Sequence, residues 1–300
     1  MEPVPGSGSI PRTPASPRDA RDPFQAGEFF GDVVARHRVS EITLTELHHR
    51  ARRSFPRHSH EHTYFCLLLA GGYAEEIAGR SVPQRPMTVA FHPAGIEHRD
   101  EVGEGGARFF GVEVGTRWIE RLREEAKAPL DFATLGAGDG VWLSARLHRE
   151  LWRREESSPL VIEGLVLELL AAVCRELRPL GRRPPGWVAR IEELLREGFR
   201  ESWTLDGLAA EAGVHPVHLS RAFRRFHGRT PGEYLLDLRV RHVCERLADP
   251  DIPLADLALE AGFADQSHCT RVFKRLTGTT PGAFRASSEP RKASRDIVEK

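Results

Sequence analysis

The sequence TLDGLAAEAGV at residues 204–214 recurs as PLADLALEAGF at residues 253–263, with six of the eleven aligned positions identical. A second pair of segments follows at nearly the same interval. LSRAFRRFHGRTPGEY at residues 219–234 matches CTRVFKRLTGTTPGAF at residues 269–284. A period near 50 residues with only two copies is too short for a solenoid. The repeat therefore predicts two copies of a small helical module.

Each copy has the pattern of a helix-turn-helix. Small residues such as Ala209 and Ala258 allow close helix approach, and Gly213 and Gly262 stand where a sharp turn needs a positive φ. The second helix of each copy has apolar residues at helical spacing on one face. They are Leu219, Ala222, Phe223 and Phe226 in the first copy and Cys269, Val272, Phe273 and Leu276 in the second.

The opposite face of each second helix is basic. No acid lies between Leu219 and Thr230 or between Gln266 and Thr280, and both stretches carry several basic side chains. The whole chain has 43 basic and 43 acidic residues, so no global field attracts it to a polyanion. A solvated surface would explain one basic helix. Two basic, acid-free faces predict local binding of DNA phosphates.

A helix is predicted to join the two copies. Thr230-Pro231-Gly232-Glu233 has a Thr at the N-cap, a Pro at N1 and a Glu at N3, the pattern of a capping box. The helix is predicted to run to about Ala248. Such a rod would fix the separation of the two second helices, which could then enter successive major-groove segments of DNA.

The first half of the chain has a β texture from about Glu41 to Gly115. Predicted strands are Thr43–Leu47, Thr63–Leu69, Met87–Phe91 and Arg108–Val114, with tight turns at Gly71-Gly72 and Gly79-Arg80. Short strands at this spacing are typical of a barrel or sandwich. Helices are predicted at Val141–Arg154 and Pro159–Leu177. The second is apolar on most faces, which predicts burial against the β part or against another subunit.

Composition sets the expected domain boundaries. They are a disordered tail at 1–23, a β-rich domain with C-terminal helices at 24–178, a linker at 179–186, a helical domain at 187–286 and a disordered tail at 287–300. The four cysteines are scattered, and neither a signal peptide nor a membrane span is recognisable. These features predict a cytoplasmic chain without disulfides.

The motifs of the helical domain resemble the DNA-binding domain of AraC/XylS-type transcription regulators. They include Ala212-Gly213-Val214, His218-Leu219-Ser220-Arg221, Gly228-Arg-Thr-Pro231, Arg239, Asp265-Gln-Ser267-His268, Arg271-Val-Phe273-Lys274 and Gly278-Thr-Thr-Pro281. Three departures, Cys269, Cys244 and Pro253, affect packing rather than the DNA face. The resemblance implies a regulator rather than an enzyme. It also implies double-stranded promoter DNA as a partner, a homodimer, and contact with RNA polymerase.

The resemblance assigns DNA contacts to each second helix. Base readers would be Val217, His218, Ser220 and Arg221 in the first copy and Gln266, Ser267, His268 and Arg271 in the second. Arg can bind guanine bidentately, Gln can bind adenine, and Val can touch a thymine methyl group. Phosphate contacts would come from Arg224, Arg225, Lys274 and Arg275.

His58-Ser-His60, followed by Pro93-Ala-Gly95-Ile-Glu-His98, resembles the two halves of a cupin motif. The implied fold class is α+β: a cupin-like β-barrel with flanking helices, then an all-α domain of two helix-turn-helix modules. The barrel would sense a small-molecule effector in a pocket with His58, His60, His98 and Tyr64. Tyr64 replaces the Glu that enzyme cupins usually carry.

Three interpretations of these histidines stay open. The three imidazoles could bind a divalent metal such as Zn, Fe, Mn or Ni, they could line a pocket without metal, or they could have no ligand role. No cofactor is required by the regulator interpretation. A metal-dependent cupin enzyme with an accessory helical domain, and a cupin-fold dimerisation module without ligand, are the alternative functions.

Overall fold

The computed structural model describes residues 23–126, 130–135, 139–177, 184–247 and 249–288. A β-rich half comes first and a helical half second, as the sequence predicted. No helix within these ranges is long and apolar enough to cross a membrane. The predicted tails at 1–23 and 287–300 and the predicted linker at 179–186 lie outside the described residues, except for Pro23, residues 184–186 and residues 287–288. Gly186 begins one helix and Ser288 ends another, so both helices extend slightly beyond the predicted boundaries.

The β-rich half is one antiparallel sheet of eight strands. They are β1 (Asp32–Val39), β2 (Ile42–His49), β3 (Arg53–Ser54), β4 (Thr63–Ile77), β5 (Arg80–Gln84), β6 (Val89–His92), β7 (His98–Val114) and β8 (Ala133–Leu135). The order is β1-β2-β7-β4-β6-β8, with β3 beside β7 and β5 beside β4. Among the described residues this path does not close on itself. The antiparallel sheet is therefore confirmed, whereas the closed barrel stays a prediction.

The glycine pair Gly71-Gly72 corrects one sequence expectation. The predicted tight turn there is wrong, because β4 runs through both glycines and only shifts its register with β7 between Gly71 and Tyr73. Gly71 has a φ of 90°, and a Cβ at this position would overlap the carbonyl oxygen of Gly106. The glycines thus form a bulge where two backbones approach closely.

Three helices complete this half: α1 (Thr116–Ala126), α2 (Asp139–Arg153) and α3 (Ser158–Leu177). α2 and α3 pack on each other and on the sheet. α3 buries its apolar face within the chain, as the first of the two alternatives predicted. The buried residues are Ile162, Leu165, Val166, Leu169, Leu170 and Val173. Leu160, 76% exposed, and Leu167, 39% exposed, remain on the surface.

The helical half contains α4 (Gly186–Glu197), α5 (Leu205–Ala212), α6 (Pro216–His227), α7 (Pro231–Arg246), α8 (Leu254–Glu260), α9 (Gln266–Thr277) and α10 (Pro281–Ser288). α5–α6 and α8–α9 are the two predicted helix-turn-helix pairs, and α7 joins them. The predicted capping box is present, since Thr230 and Glu233 each accept the other's backbone N–H. Gly213 and Gly262 turn with φ of 64° and 82°.

The two helix-turn-helix pairs belong to different cores. We call α4–α6 module 1 and α8–α10 module 2. Module 1 packs with the start of α7 around its own cluster, which includes Ile191, Leu208 and Phe223. In module 2, Phe273 lies in the same cluster as Leu147 of α2 and continues into the β-rich half. Module 2 is therefore continuous with the first half of the chain, and module 1 is not.

Helix α2 makes the polar contacts that accompany this shared core. The Trp142 indole N–H donates to the carboxylate of Asp237 on α7, which is only 1% exposed. The Arg149 guanidinium donates to the carbonyl oxygen of Gly278, at the end of α9, over 2.6 Å. Both bonds join α2 directly to the elements that carry module 2.

The other side of α2 covers a buried carboxylate of the sheet. Glu46 on β2 is 1% exposed and accepts hydrogen bonds from His148 Nε2 at 2.7 Å and Trp152 Nε1 at 2.9 Å, with Arg108 as a third partner. Burial alone acts to raise its pKa, but the bonds and charges of His148 and Arg108 outweigh burial and lower the pKa of Glu46 to about 2. Glu46 is thus an ionised group held by its partners.

Candidate functional site

Helix α6 presents the predicted base readers of module 1 on its outer face. Pro216 begins the helix, and the ring Nδ1 of His215 accepts the backbone N–H of Val217 at 3.3 Å. Leu219 and Phe223 are fully buried, which fixes the rotation of the helix about its axis. The predicted readers Val217, His218 and Arg221 are exposed and Ser220 is half-buried.

Helix α9 repeats this arrangement in module 2. The Asp265 carboxylate caps the helix by accepting the backbone N–H of His268 at 2.6 Å. Cys269, Val272 and Phe273 face the core. The predicted readers Gln266, Ser267 and Arg271 are exposed and His268 is half-buried. In both modules the inner apolar face leaves the predicted readers on the opposite, solvent side.

The four predicted phosphate contacts, Arg224, Arg225, Lys274 and Arg275, are all exposed. Arg224 lies 3.6 Å from Glu233, and both side chains are more than half exposed, so this pair is weak and can yield to a phosphate. Arg225 also lines a cleft between the two halves of the molecule. It therefore has a second environment that the sequence did not indicate.

Arg239 fixes α7 to module 1. Its guanidinium is 8% exposed and donates to the carbonyl oxygens of Phe199 at 2.8 Å and Glu201 at 2.7 Å. Burial lowers the pKa of Arg239. The sequence identified this residue only as part of the AraC-type motif. In the structure it ties the joining helix to the segment before α5.

A histidine cluster lies in the β-rich half. His58, His60 and His98 are all buried, and one ring nitrogen of each lies within 4.8 Å of the others. The Nδ1–H of His58 donates to the Pro56 carbonyl at 3.0 Å, and that of His98 donates to the Ile96 carbonyl at 3.2 Å. These bonds select the tautomer in which the Nε2 of both rings has a free lone pair.

Tyr64 and Asp100 extend the cluster. The Tyr64 hydroxyl donates to His98 Nε2 at 3.2 Å, so this side chain lies where the resemblance implied. Asp100 was not predicted, although it stands two residues after His98 on β7 and period-two alternation places both on one face. Its Oδ2 lies 3.6 Å from His58 Nε2. A neighbouring pair, His92 and Glu75 at 3.2 Å, was also missed.

Burial controls the protonation of the cluster. It lowers the pKa of His60 to about 2 and that of His98 to about 4, and nearby imidazoles act in the same direction. Burial raises the pKa of Asp100 to about 6. The imidazoles are therefore neutral at pH 7. Among the described residues, His60 Nδ1 and Asp100 Oδ1 are buried without a hydrogen-bond partner, a condition that a ligand would relieve.

A segment that we call the strap, residues 23–31, covers the cluster with aromatic rings. Phe24 stacks on His60 with 5.2 Å between ring centroids, and Phe29 lies 4.9 Å from the same ring. The backbone N–H of Gly27 donates to Glu113 Oε2 at 2.7 Å. Burial raises the pKa of Glu113 to about 7. Sequence reasoning gave the strap no role, because its contacts with the histidine cluster and with Glu113 join residues that are distant in the sequence.

The helical half of this chain matches a known domain family. A helix-turn-helix domain family matches residues 208–287. A protein of Streptomyces lividans described as an AraC-like transcription regulator is 28% identical over 190 residues, which is 60% of this chain and 62% of that protein. ToxT of Vibrio cholerae has a TM-score of 0.39 at 11% identity, covering 82% of this chain and 97% of its own, too low to equate the folds.

The transcription factor PqrA of Proteus vulgaris is 38% identical over 85 residues, which is 28% of this chain and 70% of that protein. Across three other curated relatives the chain spans 62%, 56% and 52% of their length. Together with the two helix-turn-helix pairs and their exposed outer faces, these matches show that the chain belongs to the AraC-type family of transcription regulators.

Proposed function

We propose that the chain binds promoter DNA sequence-specifically through modules 1 and 2 and regulates transcription in response to an effector held in the β-rich half. The observation that carries the proposal is the pair of outer faces on α6 and α9. Both are exposed, basic and free of acid, and α7 joins them. Family membership favours this regulator over the alternative of a metal-dependent enzyme.

Each outer face divides into base-reading and phosphate-binding positions. Arg221 and Arg271 would bind guanine through two hydrogen bonds, Gln266 would bind adenine, and Val217 would touch a thymine methyl group. Arg224, Lys274 and Arg275 would bind phosphates and set the position of the protein on DNA without reading sequence. Because each module reads its own segment, the operator would contain two recognition elements about one helical turn apart.

The test uses DNA selected by the full-length protein from a random pool. Arg221→Ala and Arg271→Ala should each lower the preference for the selected sequence by about 1–3 kcal/mol, at different segments of the operator. Fluorescence anisotropy against the selected and a scrambled duplex at one salt concentration measures this. Unchanged preference in both variants would exclude the contact assignment. Arg80→Ala, an exposed change on β5, is the matched control.

The effector site that we propose is the histidine cluster with Tyr64, and the antiparallel sheet that carries these residues supports the proposal of a cupin-like barrel. The strap, which covers the cluster, would have to admit the effector. Exposed Leu160 and Leu167 on α3 support a homodimer, in which a second copy would cover them. Contact with RNA polymerase follows from family membership alone.

A divalent metal is the effector class that the cluster favours. The Nε2 lone pair of His58 is free to coordinate, and that of His98 would become available once its hydrogen bond from Tyr64 is released. His60 is neutral, and the unpaired Asp100 Oδ1 could supply a carboxylate ligand. Nitrogen ligands with one carboxylate suit Zn²⁺ and similar ions.

Titration calorimetry with Zn²⁺ should show one site, and His60→Ala should weaken binding at least tenfold. His62→Ala, just outside the cluster, should bind normally. If no one-site binding were observed, the metal proposal would be wrong, and the proposal of DNA binding would not be affected.

A further inference from the structure

We propose that the cleft between the β-rich half and module 1 is a binding site for a compact polyanion, a small molecule with several phosphate or carboxylate groups. The cleft has a volume of about 920 Å³. Its walls come from both halves of the molecule, and none of the residues of the histidine cluster lines it. Of the predicted DNA contacts, Arg225 of α6 lies in its wall.

Arginines dominate the cleft walls. Six line it: Arg85 and Arg175 from the β-rich half, and Arg196, Arg225, Arg229 and Arg241 from the helical half. Three carboxylates, Asp139, Glu192 and Glu245, line it as well. The lining therefore has an excess of positive charge inside a concave surface, where low-dielectric walls focus the field onto an anion.

The carboxylates do not neutralise these arginines one by one. Asp139 is shared by Arg229 at 3.3 Å and Arg175 at 3.6 Å. Arg229 also pairs with the buried Asp237 at 3.3 Å, so it is the best neutralised of the six. Arg196 pairs with Glu192 at 2.6 Å. The side chains of Arg175 and Arg196 are 61% exposed, so their guanidinium groups can donate to a ligand as well. Planar guanidinium groups bind phosphate and carboxylate oxygens bidentately, which sets the ligand class.

The neutral imidazole of His227 adds a polar group to the wall of the cleft. His227 lines the cleft, its side chain is 15% exposed, and its Nε2 has no hydrogen-bond partner in the described part of the chain. Nε2 lies 3.8 Å from Glu192, beyond hydrogen-bonding distance. An anionic oxygen in the cleft would give this buried nitrogen a partner.

A bound polyanion would link module 1 to the β-rich half. Module 2 is already joined to that half through a common core, whereas module 1 faces it across this cleft. The ligand would therefore fix the position of α6 relative to α9. The effect on DNA binding rests on the proposed function, but the binding of the anion does not.

The experiment uses the full-length protein and two probes, tripolyphosphate and citrate, titrated by calorimetry at constant ionic strength. We expect one site per chain. The double variant Arg85→Gln/Arg175→Gln, which changes two exposed side chains of the β-rich half, should bind each probe that the unmodified protein binds at least tenfold more weakly. A difference between the probes distinguishes phosphate from carboxylate ligands.

Lys274→Gln on α9 is the control for binding at the DNA face, and it should bind the probes like the unmodified protein. Three outcomes would overturn the proposal: no binding of either probe, equal binding by the double variant, or loss of binding in Lys274→Gln instead. Promoter binding is measured separately on the same samples. Failure of the DNA proposal is therefore distinguishable from failure of the anion site.

Discussion

Modules 1 and 2 carry nearly the same sequence pattern and are held in the molecule in different ways. Phe223 and Phe273 occupy the same position of the repeat, and both are fully buried. Phe223 packs in a core that belongs to module 1 and α7, whereas Phe273 packs in one that extends through α2 to the sheet. The sequence pattern within each module determines that its helix-turn-helix pair forms. The neighbouring elements determine which part of the molecule each pair packs against.

This difference gives the two modules different connections to the β-rich half. A change there reaches module 2 through buried apolar contacts and through the bonds of Trp142 and Arg149. It reaches module 1 only through α7 and across the arginine-lined cleft. Regulation of a two-element operator would therefore act on the spacing of the modules, with module 2 as the fixed element.

Matched core substitutions give the strongest test of this asymmetry. Phe223→Ala and Phe273→Ala should each cost about 3–5 kcal/mol, because each removes a fully buried aromatic ring. Hydrogen exchange followed by mass spectrometry should show faster exchange in α4–α6 and at the start of α7 for Phe223→Ala. For Phe273→Ala it should be faster in α9 and also in α2. If both variants showed faster exchange in the same elements, the two modules would not have separate cores.

Glu46→Gln tests the other end of the connection through α2. The folded pKa of about 2 lies below the unfolded value of 4.5, so the ionised carboxylate stabilises the fold fully above about pH 4.5. That contribution is lost as pH falls from 4.5 toward 2. At pH 7 the variant should lose about 2–3 kcal/mol. Urea unfolding at several pH values should show the two proteins converge near pH 2.

The exposed Glu97→Gln is the control for the Glu46 prediction, and its unfolding free energy should stay within about 0.5 kcal/mol of the unmodified protein. Exchange in module 1 should be unaffected by Glu46→Gln if the comparison between the modules holds. If the two proteins still differed in unfolding free energy at pH 2, the charge of Glu46 would not explain its contribution. The packing of its side chain against α2 would explain it instead.

Phosphate contacts are expected to give the smallest effects. Arg224→Ala in module 1 and Lys274→Ala in module 2 should each weaken DNA binding similarly for all sequences and reduce the slope of log affinity against log salt by about 1. Anisotropy titrations across salt concentrations measure the slope. A change for Lys274→Ala alone would indicate that only module 2 engages DNA.

Local patterns made much of the fold predictable. The repeat, the capping box at Thr230 and the turn at Gly213 depend on residues close in sequence, and all three are present in the structure. The resemblance to a cupin motif implied that His58, His60 and His98 lie close together, and they do in the structure. The Gly71-Gly72 bulge could not be distinguished from a turn, because the difference lies in the partner strand β7.

The long-range contacts that α2 makes with the sheet and with α7 could not be predicted. His148 and Glu46 are 102 positions apart in the chain, and Trp142 and Asp237 are 95 apart. No local spacing signals such pairs, because a buried tryptophan or acid occurs in many cores for other reasons. Asp100 is the exception, since alternation along β7 after His98 was available as a signal.

The separate core of module 1 has a consequence for how such a regulator can change over generations. Substitutions in α6 disturb the separate core of module 1. The protein could therefore evolve to bind a new half-operator without compensating changes in the β-rich half. Substitutions in α9 affect packing shared with the sheet, and most would need compensation elsewhere. New target specificity is therefore expected to arise at module 1 first. A chimera in which module 1 is replaced should need fewer changes in the β-rich half than one in which module 2 is replaced.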